Sequence, residues 1–215
     1  MDLYPDVAAA GGLGAAMAAV AERRRCDIGP VASAAVPVRI GTDRGVVSVG
    51  LAAEERLFLI GIHTPGFTWA LGSTDDLGRA VEAVAAWRAG VPLVDFEGAF
   101  EFMELDEFAP ALEAGNPAPL QWSRLLSSDF HADQRSLLNR IHEDDRLRLL
   151  FPTITHGVVR LRVDAMDGGS RQFLVRELPG MRYEVMTVGA ETDWLEVSAA
   201  DLIAHLRGLQ GEEQE

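Results

Sequence analysis

Residues 35–72, AVPVRIGTDRGVVSVGLAAEERLFLIGIHTPGFTWALG, decide the fold class. They break into four short runs rich in β-branched, aliphatic and aromatic residues, at 35–40, 45–51, 56–62 and 67–72. Turn-forming residues separate the runs: Thr42-Asp43-Arg44-Gly45, Ala53-Glu54-Glu55 and Pro65-Gly66. Connections this short can join only neighbouring strands of opposite direction, so the stretch reads as an antiparallel meander. Pro65-Gly66 suits the central pair of a tight turn, where proline fixes φ at the first position and glycine accepts a positive φ at the second.

The flanking sequence supplies helices. Pro5 and Asp6 open a helix expected to run to about Arg25, with arginines at its negative end and Gly11, Gly12 and Gly14 weakening it. Beyond the meander, Ser73 is the expected cap of a helix with Asp75 and Asp76 in its first turn and Gly90 and Pro92 at its end. Leu77, Ala80, Val81, Val84 and Trp87 share one face of it. Residues 93–150 read as an irregular helical segment, with helices near 120–126 (carrying Trp122) and 132–150. Strands resume near Thr153. The runs 158–164 and 171–177 flank Asp167-Gly168, a hairpin signal, and 182–188 and 194–197 add two more. Ser198 is placed to cap a last helix, with Asp201 at its third position. Strands that come in runs, not singly between helices, argue for α+β. The expectation is one α+β unit over 1–210, with antiparallel sheet segments at both ends (1–92 and 151–210), a helical middle (93–150) and a disordered tail at 211–215.

Composition restricts the chemistry. The 215 residues carry 33 acidic and 19 basic side chains, a formal charge of -14, which repels phosphate backbones and anionic lipid surfaces. Neither nucleic acid nor membrane is expected as a partner. Every basic residue is arginine, so lysine Schiff bases, Walker-type phosphate loops and kinase sites are excluded in their usual forms. Cys26 is the only cysteine, so no intramolecular disulfide can form, and a reducing, cytoplasmic setting is expected. The uncharged stretch 7–21 follows acidic residues and is too short to span a bilayer, which takes about 20 apolar residues.

Few residues are left as chemical candidates. Gly12-Leu13-Gly14 lacks the preceding strand and third glycine of a dinucleotide loop. The histidines, His63, His131, His142, His156 and His205, form no closely spaced pair, and no metal site or cofactor is expected. Cys26 reads as an ordinary small residue at a helix end, and the run Glu143-Asp144-Asp145 reads as a solvated face. His63, at the mouth of the Pro65-Gly66 turn, and His156, beside Gly157 before a strand, are the catalytic candidates. Both also read as turn histidines bonded to backbone.

On the strand after His156, alternation sends Val159, Leu161 and Val163 to one face and Arg160 and Arg162 to the other. A two-residue turn at Asp167-Gly168 would set Phe173 opposite Arg162 and Val175 opposite Arg160. Arg160, Arg162 and Phe173 are therefore the candidate ligand-binding residues, two guanidinium groups suited to the forked grip on a carboxylate or phosphate. The alternative is a solvated face whose arginines pair with nearby Asp and Glu.

Four motifs occur in a characteristic order: Tyr4-Pro5-Asp6 leading to Ala10-Gly11-Gly12-Leu13; Gly72-Ser73-Thr74-Asp75-Asp76-Leu77 with Trp87; Gln121-Trp122 with Leu125-Leu126; and Leu150-Phe151-Pro152 followed by Thr155-His156-Gly157 and Leu161. Together they resemble an uncharacterised actinobacterial domain family labelled as natural-product biosynthesis proteins, over nearly the whole chain. The resemblance implies a setting in secondary metabolism and brings no assigned catalytic residue. What it implies is a cofactor-independent accessory or tailoring protein that binds a small-molecule or peptide intermediate or a biosynthetic partner enzyme. The alternative is a non-catalytic interaction module, such as an immunity or regulatory protein.

Overall fold

The computed structural model describes residues 3–32, 36–189 and 194–211. Ala35, at the expected start of the first strand, and residues 212–215 of the expected tail lie outside the described residues, while Gly211, read as the first tail residue, is helical. The fold is α+β, with two five-stranded antiparallel sheets among the described residues. The chain divides into two compact units, Met1–Glu113 and Ala114–Glu215, so the boundary falls inside the stretch read as the helical middle.

The first unit opens with two helices where one is expected, α1 (Pro5–Ala9) and α2 (Leu13–Arg24). Gly11 and Gly12 break it by taking φ values of 88° and 124°, a region closed to most side chains. The Tyr4 hydroxyl accepts the Leu57 N–H and donates to the Ala52 carbonyl. Asp6 takes a two-bond grip from Arg56, at 2.8 and 2.9 Å, which holds the Asp6 carboxyl below its usual range. Both side chains of this motif therefore serve the fold, fastening α1 to residues 52–57.

The meander is present as β1 (Val38–Thr42), β2 (Gly45–Leu51), β3 (Phe58–Thr64) and β4 (Phe67–Thr74), with the Pro65-Gly66 turn between Thr64 and Phe67. Helix α3 (Leu77–Arg88) buries the expected stripe, Leu77, Ala80, Val81, Val84 and Trp87. Its cap is Asp76 and not Ser73: the Asp76 carboxylate accepts the Gly78 and Arg79 N–H groups, while Ser73 stays in β4. After α4 (Leu93–Ala99) comes β5 (Met103–Leu105), a strand inside the stretch read as helical, followed by α5 (Ala109–Glu113). Three residues are too few to show a period in sequence. β5 fits because its neighbour Gly72 has no Cβ; one there would lie 2.5 Å from Met103 Sδ. An aromatic file, Trp69, Trp87, Phe96 and Phe100, runs through the interior with ring centres 5.0–5.9 Å apart. The Arg44 guanidinium stacks on Trp87 at 4.2 Å.

The second unit packs α6 (Ala118–Ser127), α7 (Arg135–His142) and α8 (Leu202–Gly211) with a sheet of β6 (Phe151–Thr155), β7 (Val158–Arg162), β8 (Gln172–Leu178), β9 (Arg182–Thr187) and β10 (Leu195–Ser198). Its core joins Trp122, Leu137, Leu138 and Ile141 to Val159, Leu161, Phe173, Val175 and Val185, with Leu202 and Leu206 from α8. The Trp122 indole N–H donates to the Leu150 carbonyl at 3.1 Å. The helix expected over 132–150 is shorter: residues Asp129–Gln134 form a 3-10 turn kinked at His131, and α7 ends at His142. The acidic run beyond it is not a uniformly solvated face. Glu143 and Asp145 are exposed, but Asp144 is 6% exposed, accepts the Arg146 and Leu147 N–H groups at 3.0 Å, and pairs with Arg207. Ser198 and Asp201 exchange hydrogen bonds, but Ser198 ends β10 and α8 begins only at Leu202, so Asp201 stands just ahead of the helix and not at its third position.

Candidate functional site

The site is built on β7. β6 and β7 pair with Thr155 opposite Val158, so His156 and Gly157 form the whole two-residue turn between them. Their φ values, 50° and 77°, are those of a primed turn, whose twist matches that of the strands it joins. His156 is an exposed turn residue, and among the described residues its side chain makes no hydrogen bond or ion pair. From this turn the strand alternates. Val159 and Leu161 point into the core, and Arg160 and Arg162 point to the other face.

The register with β8 differs by one residue from the sequence expectation. Leu161 stands opposite Phe173, Arg162 opposite Gln172, Arg160 opposite Leu174 and Val159 opposite Val175. A one-residue slip moves a whole strand to the other face. Phe173 is therefore fully buried among the core residues, on the opposite side of the sheet from both arginines, and does not line the candidate site.

The slip originates in the loop. No two-residue turn forms at Asp167-Gly168; the Val163 N–H bonds the Arg171 carbonyl and encloses seven residues, 164–170. The Asp164 carboxylate accepts the Met166 and Asp167 N–H groups, and the Asp167 carboxylate accepts that of Gly169. Short acidic side chains that satisfy successive backbone donors stabilise such a loop in place of a tighter turn.

The face that carries Arg160 and Arg162 also carries Phe151 and Thr153 from β6, Gln172 and Leu174 from β8, and Met186 from β9. Arg160 Nη1 donates to Gln172 Oε1 at 3.1 Å, and Gln172, only 4% exposed, passes its own amide N–H to the Gly168 carbonyl. Arg162 Nη1 reaches the Ala165 carbonyl at 3.5 Å, while its Nε and the Thr153 hydroxyl are buried without partners. Among the described residues neither arginine has a carboxylate partner. Two other arginines of the same face do: Arg176 Nε bonds Glu184 at 2.8 Å, and Arg182 bonds Glu196 at 2.8 Å. The alternative of a face neutralised throughout by ion pairs thus describes its β8–β10 side and not β7.

Sequence reading missed Gln172, Thr153, Leu174 and Met186. Each lies on this face by strand alternation, but the partners of β7 follow only from a register that the loop sets.

His63 lies in the first unit, on β3 beside a bulge, with Nδ1 3.1 Å from the Thr68 hydroxyl. Its ring lies over Gly61, where a Cβ would come within 2.4 Å of Nε2. His63 thus belongs to the first unit and the β7 residues to the second. Cys26, half-buried after α2, touches the Ala21 carbonyl through its sulfur at 3.8 Å. Among the described residues no three His, Cys, Asp or Glu side chains group closely enough to hold a metal ion, and no helix is long and apolar enough to cross a membrane. Comparison of the chain with protein-family models, curated proteins and solved structures finds no match.

Proposed function

We propose that the chain is a cofactor-independent accessory or tailoring protein of bacterial natural-product biosynthesis, and that it holds an acidic group of a pathway intermediate, precursor peptide or partner enzyme on the outer face of its C-terminal sheet. One observation carries the binding part. Arg160 and Arg162 stand two residues apart on one strand with no carboxylate partner among the described residues, in a chain with 33 acidic residues and beside two arginines that are paired. An acidic ligand would complete them by forked, charge-assisted bonds. Phe151, Leu174 and Met186 offer the apolar surface against which the rest of such a ligand would pack.

The arrangement favours binding over chemistry at this face. His156 is committed to the turn conformation and bonds no neighbouring group among the described residues. The setting in natural-product biosynthesis rests on the four ordered motifs, at the N-terminus, the α3 entry, α6 and the β6–β7 hairpin. Deleting the gene and profiling metabolites tests that setting: a stalled intermediate or lost product supports it, and an unchanged profile under producing conditions refutes it.

A further inference from the structure

The N-terminal sheet keeps large apolar side chains exposed on one face among the described residues. Its core face carries Val38, Ile40, Val47, Val49, Phe58 and Ile60, all buried. The opposite face carries Val46, Leu59 and Leu71, which are 40%, 45% and 55% exposed. Single exposed apolar residues are ordinary. These three surround a low centre, because Gly50 and Gly61 lie on the same face and Gly61 lets the His63 ring fold flat.

One row of this face runs across all five strands: Arg39 opposite Ser48, Ser48 opposite Gly61, Gly61 opposite Leu71, and Leu71 opposite Glu104. It is basic at one end, acidic at the other, and small or apolar between. Arg39 and Glu104 are both exposed, and among the described residues neither side chain makes a hydrogen bond or ion pair.

We infer that this face is a self-complementary interface and that its occupant is a second copy of the chain, packed sheet on sheet about a two-fold axis parallel to β3. Such an axis reverses the row. Arg39 of one copy then meets Glu104 of the other at both ends, Leu71 settles over the small Ser48, and the two Leu59 side chains meet near the axis. An isologous contact of this kind repeats every favourable pair twice. The small residues permit the spacing of about 10 Å at which stacked sheets interdigitate. The net charge of -14 per chain opposes association, but at physiological salt the screening length is about 8 Å, so long-range repulsion is damped while direct pairs persist. The face measures about 20 by 16 Å, below the area of standard specific interfaces, so the dimer is weak, reversible and concentration-dependent.

Sedimentation equilibrium of the full chain over a wide concentration range tests this. The expected weight-average mass rises from 23.3 kDa towards twice that value. Leu71→Glu, at an exposed position, abolishes the rise, and Leu59→Lys does the same should Leu71→Glu fail to fold. Arg39→Glu alone weakens the dimer by about tenfold through like-charge contacts, and adding Glu104→Arg restores it. A chain that stays monomeric throughout, a dimer untouched by a folded Leu71 or Leu59 variant, or a double charge swap no tighter than the single one overturns the inference.

Discussion

Arg160 is held by Gln172, a buried amide one row along on the neighbouring strand, and that amide is anchored in turn to the Gly168 carbonyl of the 164–170 loop. The glutamine thus links the loop conformation to the direction of one guanidinium. Gln172→Ala removes both bonds together with a buried side chain. It is expected to cost about 1–3 kcal/mol, the range for losing a buried hydrogen-bonding group, seen as a lower urea midpoint. A midpoint equal to that of the parent contradicts this role.

Trp87 packs between Trp69 and Phe96 and beneath Arg44, with no exposed surface. Trp87→Ala is expected to destabilise the protein by about 3–5 kcal/mol, through lost burial and the cavity left behind. Chemical denaturation measures it, and a loss below about 1 kcal/mol would mean that the site collapses around the gap far better than cores do.

Asp144 gives a pH signature. Burial raises its pKa, but the Arg207 guanidinium and the Leu147 and Arg146 N–H groups outweigh burial, leaving the carboxyl below its usual value. A folded-state pKa below the unfolded one contributes stability at pH above the unfolded value, about 3.9, and that contribution is lost as pH falls through the folded value. Asp144→Asn is therefore expected to lower the melting temperature at neutral pH and to converge on the parent in acid. A gap that stays constant from neutral to acid pH contradicts the linkage.

His156 sits at the first central position of a primed turn, where asparagine is the better-suited residue. His156→Asn is expected to leave stability equal or raised by a few tenths of a kcal/mol and to leave function intact. Loss of function in a stable His156→Asn protein would return the imidazole to a chemical role.

Legibility in the sequence followed the range of the interaction. β2 falls on 45–51, and α3 carries the stripe from Leu77 to Trp87, because turn residues and a helical period are local signals. Asp76 displaced Ser73 as the cap because β4 continues through Ser73, which pairs with Leu59. The division of Arg160 and Arg162 from Val159 and Leu161 was readable from alternation along one strand. The exclusion of Phe173 was not, since it turns on whether the loop has an even or odd number of residues, and Asp164 and Asp167 settle that through bonds to backbone. The pairing of β5 beside Gly72 leaves no local pattern at all.

Reversing the two unpaired arginines tests the central claim most directly. Arg160→Glu with Arg162→Glu, reintroduced into the deletion strain, is expected to give a protein that melts within a few degrees of the parent yet reproduces the metabolite profile of the deletion. Restoration of the parental profile by that folded double variant would contradict a binding role for this face.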